Sequence, residues 1–355
     1  MVALSDEAAL DEDVVAEQHR VDTITSEPSD QYRLVVAKIS KSYDGRALAV
    51  RNVSFAVKSG ECFGLLGVNG AGKTTMFRML TGQVQIGAGD ALINEKSMRN
   101  NSYSSMSSSG YCPQFDALSP NLTAREHLRY YSLLRGVPKE SVDTVVNWAL
   151  NELQLNAYAD EICSSYSGGN KRKLSVAIAL VADPPLLLLD EPSAGMDPST
   201  QRFMWNVLLQ LRKSKRAIVI TSHSMEECEV LCSRIAIMSR GQLRCIGPIQ
   251  HLKHRFGEGY TLTIRLCKAE NISKVQKYMA ELVPAAQLEA VHCLTMFYQI
   301  PNASCTIASV YDAICKMQQL VEIDDYSLSQ TTLDDMFVSF VRLTSSDEAD
   351  EDSRS

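Results

Sequence analysis

No window of the chain approaches 18 consecutive apolar residues, and the first thirty residues are acidic. The missing apolar run speaks against a transmembrane helix, and the acidic start against a secretory signal. A membrane function would place the spanning part in another chain or in a removed segment. Tight cysteine pairs are absent too, since the ten Cys include no CxxC spacing. Cys228 and Cys232, four apart near His223, lack the second ligand pair of a usual zinc site. Reduced, mostly buried thiols of a cytosolic protein are the better reading. No internal repeat is visible.

What is present is ordinary for a globular protein: 45% apolar and 22% charged residues over 355 positions, enough for two modest domains. The net charge of −7 is uneven, with −8 over residues 1–30 and −4 over 345–355, which leaves +5 on the body. Both ends read as solvated, disordered acidic tails. The mildly basic body suits a nucleotide or an anionic membrane surface.

Along the chain, alternation predicts strands over residues 32–57. "ECFGLLGVNGAGKTTMFRMLTG" reads as strand, glycine loop and helix, and the Ser-rich stretch 97–110 as a loop or linker. Helical periodicity dominates residues 123–182, opening at a Thr123 cap with Glu126 at the box position. "PPLLLLDEPSAG" reads as a buried parallel strand and tight turn, and "RAIVITSHS" as a second, after a helix near 199–213. Beyond about residue 258 the order is β-α-β-β-α-β, the ferredoxin-like arrangement, with "TTLDDMFVSFV" as a closing helix.

"GVNGAGKT", Gly67 to Thr74, matches the phosphate-loop pattern between an apolar strand and a helix. Gly67, Gly70 and Gly72 let backbone N–H groups curl around a phosphate, with Asn69 and Ala71 between them. Lys73 supplies charge to the β- and γ-phosphates, the Thr74 hydroxyl can bind Mg²⁺, and Thr75 follows. Asp190, at the tip of the Leu186–Leu189 strand, would hold Mg²⁺, and Glu191 would polarise the attacking water. His223 follows another apolar strand at the same edge and reads as a γ-phosphate contact. Gln114, in "YCPQFD", would sense Mg²⁺ and the attacking water. Ser167, Gly168 and Gly169 form a second anion-binding pattern at a helix start, although a plain capped helix would look the same.

Together, "GVNGAGKTT", "YCPQFD", "YSGGNKRKLS", "LLLLDEPSAGMDP" and "TSHSMEECE" resemble, in order and spacing, an ATP-binding-cassette (ABC) nucleotide-binding domain over about residues 33–256. Their detail is similar to subfamily A, the eukaryotic lipid transporters, and "HLKHRFGEGYTLTIR" to that subfamily's regulatory extension. The resemblance implies an α/β fold, a P-loop ABC ATPase cassette followed by a small ferredoxin-like α+β domain. The expected layout is an acidic linker (1–31), a nucleotide-binding domain (32–257, helical subdomain about 115–180), a regulatory domain (258–343) and an acidic tail (344–355).

The chain would be the second cassette of a transporter, on the cytosolic face of a membrane, with ATP and Mg²⁺ as cofactors. Its partners would be a facing cassette and a transmembrane domain, with no nucleic acid. Ser167, Gly168 and Gly169 would close over ATP held by the facing cassette. Tyr43 would stack on adenine, although an edge-strand aromatic would also fit there. Ala194 to Asp197 would link the two ATP sites. Leu118, Leu122, Leu128, Tyr130 and Tyr131 would dock on transmembrane helices, or form an amphipathic core face.

The usual signature is Leu-Ser-Gly-Gly-Gln, whereas this chain reads Tyr166 to Asn170, with the Asn that subfamily A often carries. That departure keeps an ATP-binding regulatory cassette with little hydrolysis as the alternative. A DNA-repair ABC ATPase would insert a coiled coil of hundreds of residues where Lys73 and Ser167 are 94 positions apart. A ribosome-acting factor would carry two cassettes in one chain.

Overall fold

The computed structural model describes residues 11–337 except positions 28, 46, 101, 257, 258, 302–306, 319, 331 and 335. The chain divides into two compact units after Pro248, earlier than the expected boundary at 257.

The first unit opens with α1 (Glu12–Ser26), β1 (Tyr32–Ser42), β2 (Leu48–Lys58), β3 (Cys62–Gly67) and α2 (Lys73–Leu80). Next come β4 (Ala88–Ile93), β5 (Lys96–Ser97), α3 (Ser102–Ser107) and β6 (Ser109–Cys112). Three helices follow, α4 (Ala124–Leu134), α5 (Val142–Glu152) and α6 (Gly168–Leu180). The unit closes with β7 (Leu186–Asp190), α7 (Pro198–Lys213), β8 (Ala217–Thr221), α8 (Met225–Leu231), β9 (Arg234–Ser239) and β10 (Gln242–Pro248).

These strands make two sheets, an antiparallel one in the order β2-β1-β4-β5 and a six-stranded one in the order β10-β9-β3-β8-β7-β6. In the second sheet only β10 runs antiparallel to its neighbour. One core joins both sheets: Phe55 of β2 stacks on Phe63 of β3 at 4.9 Å, among Leu34, Phe77, Leu65 and Leu188. Because β3, β7 and β8 are parallel, their carboxyl ends share one edge, where such sheets place their ligands. That geometry assembles the site.

Two expectations are corrected here. Residues 12–26 are not a disordered linker but a helix capped by Asp11, whose side chain accepts from the Asp13 N–H. Val14, Glu17, Val21 and Ile24 form its buried stripe. Glu17 accepts from the Ala56 N–H at 3.0 Å and pairs with Arg234 at 2.8 Å, which anchors the helix to the sheets. The high acidic content concealed that stripe. Residues 1–10 and the acidic tail 344–355 lie outside the described residues.

The Ser-rich stretch is likewise no linker, since it holds α3 and the start of β6, a strand paired in parallel with β7. Gly110 is needed there because a Cβ would stand 2.1 Å from the Ala179 carbonyl oxygen of α6. Strand and helix backbones meet at that point.

The second unit holds α9 (Ile249–Phe256), β11 (Tyr260–Leu266), α10 (Ile272–Leu282), β12 (Gln287–His292), β13 (Thr295–Ile300), α11 (Ile307–Gln318) and β14 (Ile323–Gln330). Its antiparallel sheet runs β12-β13-β11-β14, the ferredoxin-like order, over a core of Leu262, Ile264, Met279, Met296 and Ile314. Most of the expected closing helix, 331–341, lies outside the described residues, with helical residues at 333–334 and 336–337.

Candidate active site

The phosphate loop leaves β3 at Gly67 and enters α2 at Lys73, two residues before the expected helix start. Gly72 has φ +106°, and a Cβ on it would lie 2.5 Å from the Ala49 carbonyl oxygen; one on Gly67 would lie 2.5 Å from that of Met238. Only glycine suits both positions. The Lys73 ammonium folds back to donate to the Gly67 (2.5 Å) and Val68 (3.1 Å) carbonyls. Burial lowers its pKa, against the upward pull of Glu191 and Asp190. A polyanion in the loop would favour the charged form. Asn69, Gly70 and Thr74 are exposed, and Ala71 is buried behind the loop.

Asp190 stands opposite Thr221 in the β7–β8 register. The Thr221 hydroxyl donates to Asp190 Oδ1 at 2.5 Å, while Asp190 Oδ2 is buried without a hydrogen-bond donor. Burial raises the pKa of this carboxyl, Thr221 opposing and Glu191 reinforcing the shift. A buried carboxylate oxygen without a partner, together with the exposed hydroxyl of Thr74, supplies hard oxygen donors of the kind that Mg²⁺ takes.

The sign of the pH effect follows. The folded state holds the Asp190 proton more tightly than the unfolded chain, so ligand-free stability falls as pH rises from the ordinary value of 3.8 through the raised one. The melting temperature of Asp190→Asn, minus that of the native chain, is therefore expected to grow as pH rises above the ordinary value of 3.8. A constant difference in calorimetry would reject this.

Glu191 follows in the left-handed region, φ 51°, an unfavourable setting for a Glu. Its N–H is held by the Thr221 carbonyl and hydroxyl, both at 3.1 Å. Its Oε1 lies 2.7 Å from His223 Nε2, which brings together two residues that the sequence reading had assigned separately. The cleft of ≈ 330 Å³ beside them is lined by Ala194, Gly195, Met196 and Gln201.

Arg172 escaped the sequence reading, though it lies two residues beyond the Tyr166–Asn170 signature. It is 3% exposed on α6, and its guanidinium donates to five backbone carbonyls: Pro113, Gln114, Asp190, Glu191 and Pro192. It also meets Asp116 at 3.4 Å. One side chain thus ties the Gln114 loop to the turn carrying Asp190 and Glu191. Thr221, which orients both of those residues, was missed as well. A Thr at the end of an apolar strand is too common to signal a role.

Ser167 caps α6, its hydroxyl accepting from the Asn170 N–H at 3.3 Å, and Ser167 and Gly168 are exposed. Among the described residues, no hydrogen bond joins Ser167–Gly169 to the phosphate loop. A Cβ on Gly169 would meet the Thr200 methyl at 3.5 Å, so the signature start borders the start of α7. Asp197 caps α7 through Thr200, and those hydrogen bonds hold its carboxyl below the usual range. Tyr43 is 57% exposed, its hydroxyl 3.4 Å from the Thr75 hydroxyl at the foot of the phosphate loop. Gln114 is half-buried on the loop after β6.

Leu128 corrects the docking expectation. It is fully buried on α4, whereas Tyr130 is 58% exposed and Leu118, Leu122 and Tyr131 are half-buried. The capping box Thr123–Glu126 sets the start of this helix, and packing on α5 and α6 turns Leu128 inward.

The ABC transporter family matches residues 50–194, and the ABCA1-like, C-terminal R1 regulatory domain matches residues 257–330. Over 94% of the chain, identity is 47% to rat ATP-binding cassette sub-family A member 2, of which the chain covers 14%. It is 44% to the human retinal-specific phospholipid-transporting ATPase ABCA4 and to the rat phospholipid-transporting ATPase ABCA3, covering 15% and 20% of them. The chain thus spans a fifth or less of the length of these relatives.

Among solved structures, the ATP-binding subunit of an ABC transporter superposes with a TM-score of 0.59 at 25% identity, over 63% of this chain and 92% of that one. The dimeric cassette MJ0796, bound to ADP and Pi, superposes at 0.57 and 21% identity, over 61% of this chain and 98% of that one. The chain belongs to the ATP-binding-cassette family, as a subfamily A cassette joined to an ABCA1-like R1 regulatory domain.

Proposed function

We propose that this chain is the ATP-binding and hydrolysing motor of a subfamily A transporter, the second of two cassettes, powering lipid movement through transmembrane helices that lie elsewhere. The observation that carries the reading is the shared edge of three parallel strands, where Lys73, Asp190, Glu191 and His223 meet. The names of the relatives, two of them phospholipid-transporting ATPases, support lipid as the cargo.

In this reading the phosphate loop and Lys73 grip the β- and γ-phosphates, and Tyr43 takes the adenine face. Mg²⁺, held by Thr74 and Asp190 with Gln114 beside it, would neutralise phosphate charge during transfer. Glu191 accepts the proton of the attacking water, and His223, hydrogen-bonded to it, holds the carboxylate and contacts the γ-phosphate. Asp190 stays unprotonated once its buried oxygen has a cation partner.

The exposed Ser167 and Gly168, at the start of a 13-residue helix, supply donors to ATP on a facing cassette, where the helix dipole favours negative charge. Asp197 links the two sites along the same border. Tyr130, Tyr131, Leu118 and Leu122, joined by Phe115, Leu133 and Leu134 at 81%, 49% and 65% exposure, form the surface that docks on the transmembrane part. The chain then works at the cytosolic face of a membrane.

The test is the solution mass of Glu191→Gln by light scattering, with and without Mg-ATP. A nucleotide-dependent doubling is the expected result for two copies closing head to tail. A chain that stays monomeric but binds ATP would mean that a different cassette must face it. A chain that binds no ATP would overturn the reading.

A further inference from the structure

Glu227 lies in the first turn of α8 and is 1% exposed, outside the groups assigned to phosphate or metal above. Its Oε1 accepts from the Trp205 indole N–H at 3.0 Å, and its Oε2 from the Ser222 hydroxyl at 2.5 Å. The Ser222 oxygen in turn accepts from the Ser224 N–H at 3.0 Å, and the Ser224 hydroxyl accepts from the Glu227 N–H at 3.2 Å. Of the two chain neighbours of His223, Ser222 is therefore held by the Glu227 carboxylate, and Ser224 by the Ser222 oxygen and the Glu227 backbone N–H. His223 itself is half-exposed, with its Nε2 2.7 Å from Glu191 Oε1.

The indole reaches this network from α7, the helix that Asp197 caps. Trp205 lies eight residues beyond that cap, about 12 Å of rigid helix at ~1.5 Å per residue. The first turn of α7 carries Thr200, whose methyl faces Gly169 of the signature segment. Apolar packing alone could hold α7, since Met204, Val207, Leu208 and Leu211 are all buried on it. The indole adds direction: a buried carboxylate needs its donors, so the position of α8 and of the Ser222–Ser224 turn follows that of the ring.

We propose that Trp205 and Glu227 are positioning residues, which hold His223 against Glu191 and transmit displacement of the signature-facing end of α7 to that pair. This rests on the nucleotide-hydrolysing reading above.

The test compares Trp205→Phe, which keeps a buried though smaller aromatic ring but lacks the N–H, with Ser222→Ala and Glu227→Gln in the full chain. ATP turnover, the KM for Mg-ATP and the affinity for a fluorescent ATP analogue are measured for each. Trp205→Phe is expected to lower kcat about tenfold, the loss of one hydrogen bond to a charged group, with KM and analogue affinity within about twofold. Ser222→Ala should reproduce that kcat-specific loss, which keeps the test decisive if Trp205→Phe does not fold. Glu227→Gln retains an oxygen for the indole and an N–H for the Ser222 oxygen, and should recover activity to within about threefold of native.

Unchanged kcat in Trp205→Phe or Ser222→Ala overturns the proposal. So does a fall in kcat matched by equal losses in KM and analogue affinity, which would indicate general disorder of the site. A native chain that binds no Mg-ATP overturns the parent reading and this proposal with it. A native chain that turns over while these variants match it overturns this proposal alone.

Discussion

Glu191→Gln is expected to lower ATP turnover by about 10²–10⁴-fold, the range for losing a positioned general base. ATP affinity should change by less than about threefold, because Gln keeps the shape and the contact with His223 but cannot take the proton of water. Geometry makes the effect specific to this carboxylate. Its neighbour Asp190 points one oxygen at Thr221 and keeps the other buried without a donor, a setting for a cation. Glu191 instead turns through a left-handed backbone so that its carboxylate meets His223 at the cleft. The two acids are adjacent in sequence and sit in opposite settings. Single-turnover hydrolysis and an equilibrium binding assay on the same variant decide the matter. Turnover within about threefold of native would remove Glu191 from the base role.

The second large effect is on stability. Arg172→Met should destabilise the first unit by about 3–5 kcal/mol, because five carbonyls and the Asp116 carboxylate lose their shared buried donor. For a unit of this size that is a fall of roughly 10 °C in melting temperature, at about 2–4 °C per kcal/mol. Met fills similar volume, so a cavity contributes little to the loss. Calorimetry on the purified variant checks it. Turnover should fall as well, since the Glu191 carbonyl that Arg172 holds at 2.8 Å helps to keep that residue in its left-handed setting. A melting temperature within about 2 °C of native would show that water or other donors replace the guanidinium without cost.

Much of the site was legible because its parts are local. Eight consecutive residues, Gly67 to Thr74, write the phosphate loop, since the curl of its N–H groups involves no distant partner. The strands β7 and β8 were legible because a parallel strand buried on both faces is a continuous apolar run. All five residues of each are buried. Once both were placed, Asp190, Glu191 and His223 fell at their ends. Helix α4 announced its start through Thr123 and Glu126, and both hydrogen bonds of the capping box are present.

What escaped depends on contacts between distant segments. Strand β6, Ser109–Cys112, follows a Ser-rich stretch and has no strand signature, and its identity comes from pairing with β7 and from the closeness of α6 at Gly110. Helix α1 carries a real apolar stripe, but its anchor is Glu17 on Arg234, 217 positions away. Leu128 had equal claims to a docking face and a core face until α5 and α6 covered it.

The sequence by itself determined which groups gather at the strand-end edge, because the phosphate loop and the strand-end acids are spelled by short-range backbone geometry. It determined most of the element order too, through apolar periodicity and caps, though not α1, α3 or β6. Only the tertiary structure decided which side chains hold those groups in place: Thr221 against Asp190, Arg172 across three segments, and Trp205 with Glu227 behind His223. The physical reason is that a buried hydrogen bond is set by strand register and helix packing. Residue types alone leave its partner open.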